Sequence, residues 1–195
     1  MADPYVVANP GVAVTGTTQT LSVIRATAPG DHIVVATAVA GSGGVTGVAD
    51  SRGNTYTLQE SDTPGNGVPL FTYLADGATT ALQVGDTITI TYGLTYATKT
   101  AVVIGVPGTA TTSLDQKNVA DSTGSAAPSV TSPTLTQASE VVIGVIGSAQ
   151  ASGDPVWAAG WNKLSSTGNL WGDWVSIAYK RVNATTGVTA NGTIS

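Results

Sequence analysis

Apolar side chains recur along this chain at every second position, and Gly, Pro, Asn and Asp interrupt them at short intervals. The pattern is plainest from Asp86 to Tyr92. There Ile88, Ile90 and Tyr92 fall on one side of an extended backbone and Thr87, Thr89 and Thr91 on the other, which predicts a half-buried strand. Val45 to Ala49 and Thr55 to Glu60 flank Asp50-Ser-Arg-Gly-Asn54, whose glycine can take the positive φ of a tight connection. The pair predicts a β-hairpin with Tyr56 and Leu58 turned inward. His32 to Ala40 and Glu140 to Gly147 are apolar at both parities and predict central strands, with Ala36, Ala38 and Gly144 small enough to let a neighbouring layer come close. Val68 to Ala75, Thr98 to Val106 and Trp174 to Val182 add further strands. In the last of these, Val175, Ile177 and Tyr179 share one face and Trp174 lies on the other.

No window sustains an apolar period of 3.6, and the many β-branched residues disfavour helix, so helix is expected to be minor. Roughly ten strands joined by short turns cannot hide their apolar faces in one flat sheet. The expected fold is therefore all-β, a two-sheet antiparallel sandwich of jelly-roll type, with a barrel as the alternative. Residues 1–20, with Pro4, Pro10, Gly11 and Gly16, interrupt the pattern and predict an extended N-terminal arm ahead of a single sandwich domain over 21–195. Tyr5, Val6 and Val7 are the arm's candidate docking residues. Residues 107–133, rich in Ser, Thr, Gly, Ala and Pro, predict a long loop.

Composition changes this picture in one respect. Only 10% of the 195 residues are charged, against about 25% in an average soluble domain, so the surface is expected to be neutral and hydroxyl-rich. A net charge of −5 with seven scattered Lys and Arg gives no footprint for nucleic acid. No run of about 18 apolar residues predicts a membrane span, and Met1-Ala-Asp-Pro-Tyr5 has neither the basic nor the apolar region of a secretory signal; synthesis in a cytoplasm is the expectation. The chain has no cysteine, which removes disulfides, thiolate nucleophiles and Cys-based metal sites.

Candidate chemistry is thin. His32 is the single histidine, it opens a buried strand, and no Gly-x-Ser-x-Gly elbow accompanies it, so it reads as structural. Glu60, Glu140 and the aspartates could supply a glycosidase pair, yet Asp31, Asp50, Asp62, Asp76, Asp121, Asp154 and Asp173 adjoin Gly or Ser and read as turn formers. Asp50 to Asn54 lacks the ligand spacing of a calcium loop and carries Arg52. No catalytic residue, metal site or cofactor is assigned, and the chain is not expected to be an enzyme. What stands out is four tryptophans within eighteen residues, Trp157, Trp161, Trp171 and Trp174. They form a candidate contact surface, open to two readings: packing at a sandwich edge or subunit interface, or stacking against a sugar ring.

Several segments, in order, resemble a family of β-sandwich virion proteins encoded by phages of actinobacteria, the head-decoration or minor tail proteins. They are Val48-Ala-Asp-Ser-Arg-Gly-Asn-Thr-Tyr-Thr57, Gly85-Asp-Thr-Ile-Thr-Ile-Thr91, Thr98 to Val106 with Leu114-Asp-Gln116, and Thr136-Gln-Ala-Ser-Glu-Val-Val-Ile-Gly144. The resemblance spans roughly residues 20–182 and is one of strand and turn types, so it carries no site residues. It implies a structural protein of the virion, docked in many copies on major capsid or tail proteins as a homo-oligomer. The chain departs from the resemblance at Thr189 to Ile194, beyond which relatives run on into one more apolar strand, so either an edge is left open for another subunit or the final strand comes from elsewhere. A carbohydrate-binding module for surface glycan is the alternative function.

Overall fold

The structure, a computed structural model, describes residues 2–13, 15–40, 44–63, 68–78, 80–95, 98–108, 114–121, 124–149, 151–168 and 173–195. Among the described residues there is no helix. The strands are β1 (Tyr5–Ala13), β2 (Thr18–Ser22), β3 (His32–Val39), β4 (Val45–Asp50), β5 (Thr57–Asp62), β6 (Leu70–Ala75) and β7 (Thr87–Tyr92), followed by β8 (Lys99–Val106), β9 (Ser129–Thr131), β10 (Glu140–Ser148), β11 (Val156–Trp157), β12 (Asn162–Gly168), β13 (Trp174–Val182) and β14 (Thr189–Thr193). They form a five-stranded sheet of order β1-β8-β3-β6-β5 and three three-stranded sheets, β2-β7-β4, β10-β13-β12 and β11-β14-β9. The pairings are antiparallel.

The layering follows from strands that are apolar on both faces. In β3, Ile33, Val35 and Val39 point to one side and pack with Leu21, Ile88 and Ile90 of the β2-β7-β4 sheet. Val34 and Ala36 point to the other and meet Val175 and Ile177 of the β10-β13-β12 sheet. Each such Val or Ile gains about 1.5–3 kcal/mol from burial, so a strand buried on both faces gains about twice what a one-faced strand does. β13 repeats the arrangement: Ile177 faces the five-stranded sheet, while Ala178 packs with Trp161, Val188 and the half-buried Val142, Trp157 and Ala190 beneath the fourth sheet. The all-β, antiparallel, face-to-face packing is as expected, and it extends from two sheets to a stack of four. Ala36 and Ala38 are buried at the first inter-sheet contact and Gly144 lies under two indoles, as their size anticipates.

Three local expectations are corrected. The stretches flanking Asp50 to Asn54 do not pair as a hairpin: β4 pairs with β7 and β5 with β6, so the connection is a corner between two sheets. A turn signal reports that the chain bends, and the edges available in three dimensions decide the partners. Tyr56 does pack inward, but Leu58 is 47% exposed on an edge strand. The predicted loop 107–133 contains the short strand β9.

The N-terminal arm is also corrected. β1 pairs with β8 from Tyr5↔Gly105 to Ala13↔Lys99 and is an edge strand of the five-stranded sheet. Val7 is fully buried, Tyr5 is buried and Val6 half-buried, so none is a free docking side chain. Pro10 and Gly11, which suggested an arm, sit at a register shift, where an edge strand tolerates a residue without an N–H. The Tyr5 ring packs against Gly105, where a Cβ would come within 2.7 Å of it. The Arg25 guanidinium covers the ring at 3.9 Å, and the Tyr5 hydroxyl donates to Asp31.

Candidate functional site

The tryptophans are drawn into the body of the fold. Trp161 is buried and Trp157 half-buried, with ring centroids 5.2 Å apart and planes tilted by 35°. Both rings rest on β10 at Gly144, where a Cβ would lie 2.8 Å from Trp157 and 2.9 Å from Trp161. Each indole N–H is used internally: Trp157 Nε1 donates to Ser176 Oγ at 2.9 Å and Trp161 Nε1 to the Thr189 carbonyl at 3.3 Å. Trp174 is half-buried with its ring over Gly168, and Trp171 lies outside the described residues. The candidate contact surface therefore resolves, for Trp157 and Trp161, into packing between sheets.

Polar side chains at the predicted turns serve the backbone. Asp50 Oδ1 accepts the N–H groups of Arg52 and Asn54, and its Oδ2 accepts from Asn54 Nδ2 and the Tyr56 hydroxyl. Asn54, itself buried, bridges on to Thr80 through both ends of its amide. This carboxylate is filled by donors, which suits a corner and not a cation. Arg52 reaches Asp86 at 2.7 Å, and Asp86 also accepts from Gln83 N–H. The guanidinium beside it holds the Asp86 carboxyl below the usual range. His32 Nδ1 accepts the Gly77 N–H at 2.8 Å, with Asp76 3.1 Å away, and its Nε2 edge packs where a Cβ on Gly108 would fall. No serine completes a triad with it among these contacts.

Lys99 carried no sequence signal, yet its side chain is fully buried. Its Nζ donates to the carbonyls of Thr15 and Gly16 at 3.1 and 2.8 Å and lies 5.4 Å from the centre of the Tyr92 ring. Burial lowers its pKa. These contacts hold the connection between β1 and β2 against the core, a structural use of a cation.

A groove of about 970 Å³ is a feature that sequence reading missed. Its floor is one face of β3, β6 and β5, marked by Val34, Leu70, Leu74 and Asp62, all at even positions. One wall is β10, and there every residue from Glu140 to Ser148 lines the space. Residues of both parities can line one space only along a strand's edge, so the groove runs beside the hydrogen-bonding edge of β10. This fits the sheet order, in which β10 is terminal. The β10-β13-β12 sheet packs mainly on β1, β8 and β3, and Leu70 and Leu74 of β6 join the same apolar cluster, with Leu70 lying 3.3 Å from where a Cβ on Gly147 would fall; β5 lies beyond that cluster. Residues 114–121 cross the mouth as a strap tied by Lys117 to Glu60 and the Gln59 carbonyl, and by Asp115 to Thr136. Burial, then the charge of Asp121, raises the pKa of Asp62; burial, then Asp115, raises that of Glu140. No local pattern announces such a site, because its walls come from segments 80 residues apart.

No family model, curated protein or solved structure matches this chain.

Proposed function

We propose that this chain is a non-enzymatic structural protein of a virion, a capsid decoration or minor tail protein that docks in many copies and stabilises the particle. The observation that carries the reading is where the resemblance segments meet. Arg52 of the first is bonded to Asp86 of the second at 2.7 Å. Asp115 accepts the Thr136 N–H at 2.7 Å and the Thr136 hydroxyl, joining two further segments. Residues that meet in this way define corners and straps, so the pattern behaves as the signature of a scaffold. The reactive side chains support the same reading: His32, Asp31, Asp50 and Asp86 each accept from backbone N–H groups. A protein that binds only the assembled lattice stabilises it by mass action.

The glycan-binding alternative rested on free indole faces. Among the described tryptophans, Trp161 is buried, Trp157 is half-buried with its N–H bonded inward and Trp174 is half-buried, which favours the packing reading for them.

The test is quantitative mass spectrometry and antibody labelling of purified particles. Stoichiometric copies at regular positions, with a lower thermal threshold for particles lacking the protein, are expected. Absence from the particle would overturn the reading.

A further inference from the structure

We propose that the terminal edge of β10 and the groove beside it take up one extended strand of a partner structural protein, apolar at alternate positions and bearing Lys or Arg between them. The inference rests on the docking function argued above and names its site.

The geometry is that of a sheet with a strand missing. β10 is nine residues long and spans about 30 Å at ~3.3 Å per residue. Its sequence, Glu-Val-Val-Ile-Gly-Val-Ile-Gly-Ser, is apolar, and among the described residues no strand pairs with its outer edge. Natural proteins blunt such edges with charge, proline, a bulge or a cover. Here the cover is the 114–121 strap, and below the edge lies a floor that includes Val68, Leu70 and Leu74. A strand added ~4.8 Å beyond β10 would continue the β10-β13-β12 sheet towards the β5 side of the five-stranded sheet. Its inward side chains would meet Val68, Leu70 and Leu74, which line the groove below.

Charge selects the occupant. Glu60, Asp62, Asp115, Asp121 and Glu140 line the groove, against Lys117 as the lysine or arginine among the lining residues. Burial, then the charge of Asp121, raises the pKa of Asp62, and burial, then the charge of Asp115, raises that of Glu140, so a cation entering the mouth relieves part of the cost of these carboxylates. A second copy of this chain is a poor occupant, because it brings twelve carboxylates and seven basic residues to an already acidic site. A strand with basic side chains towards the mouth satisfies both the acidic rim and the free edge.

The probe is a capped octapeptide of alternating Val and Lys, titrated into the full chain by calorimetry, with hydrogen exchange read at the amides of residues 141–148. Saturable binding is expected, with exchange of those amides slowed. The Asp62→Asn/Asp121→Asn double variant, which neutralises one carboxylate on the groove floor and one on the strap, should unfold at the same or a higher urea concentration and bind about tenfold more weakly. The same peptide methylated at every backbone amide nitrogen keeps its charges but has no N–H to donate on either edge, and should leave β10 unprotected. Equal binding of the methylated peptide or of a Val-Glu octapeptide would overturn the proposal. So would concentration-dependent protection of β10 in the protein alone, which would assign the edge to a second copy. Particles that contain the protein while its β10 amides exchange freely would sink the groove and leave the virion reading intact. Peptide binding by a protein absent from particles would do the reverse.

Discussion

Alkaline pH should unfold this protein through its tyrosines. Burial pushes the phenols of Tyr5, Tyr56 and Tyr92 far above their ordinary value. Tyr5 and Tyr56 also donate to the carboxylates of Asp31 and Asp50, so ionising either would set two negative charges against one another. The Tyr92 hydroxyl lies between Gln19 Oε1 at 2.8 Å and Thr37 Oγ1 at 3.0 Å. In the unfolded chain each phenol titrates near 10. Above that pH the unfolded state binds fewer protons than the native state, so stability falls as pH rises. One retained proton costs about 1.4 kcal/mol at pH 11, and three cost about 4 kcal/mol, a large part of the roughly 5–15 kcal/mol that holds a domain folded. Lys99 acts in the opposite sense. Its lowered pKa means the unfolded chain holds a proton the native state has shed, so stability rises with pH until about 10.5. One lysine does not offset three tyrosines. Urea unfolding at about pH 8, 10 and 11, with tyrosinate absorbance recorded in parallel, should show the midpoint dropping between the last two. Tyr56→Phe should remove about a third of that drop. A flat midpoint, or phenolate absorbance from these residues while the protein is still folded, would refute the reasoning.

Three further outcomes are expected. Trp161→Ala should cost about 3–5 kcal/mol in urea unfolding; the half-buried Trp157→Ala should cost less, and the double variant less than the sum, because the rings touch. Gly144→Val should cost about 1–3 kcal/mol by pushing a side chain into both indoles, and a neutral result would mean the tryptophan layer is loose. Asp50→Ala, which strips the Arg52, Asn54 and Tyr56 donors of their acceptor, should destabilise by about 1–3 kcal/mol; added calcium should leave the wild-type unfolding midpoint unchanged.

Much of the strand content was legible. Trp174–Val182 runs with the limits its alternation implies, and β3, β7, β8 and β10 fall within a residue or two of theirs. Of the two stretches apolar at both parities and expected to be central, β3 is central in its sheet, but β10 is terminal in its own, because burial against neighbouring layers and loops supplies the apolar contact that a second flanking strand would have given. Less visible were strands with weak alternation. β12, Asn-Lys-Leu-Ser-Ser-Thr-Gly, has little apolar periodicity and is held by pairing with β13, while β1 carries a proline and a glycine that mimic a break. The tryptophan cluster was visible as a cluster, but its exposure was not. Whether an indole faces solvent depends on what lies across from it, here a glycine of β10 and the backbone of β14.

By itself the sequence determined the local terms: extended backbone from period-two alternation, bends from Asp-Gly-Asn chemistry, and a lack of thiols and basic clusters. Those follow from a few neighbouring residues, because side-chain direction and turn geometry are set within that span. Partner choice needed the tertiary structure, since any apolar edge can pair with many others until loop closure and shared burial select one. That is why a hairpin became a corner, an arm became an edge strand, and the groove beside β10 emerged only once segments far apart in the chain were stacked.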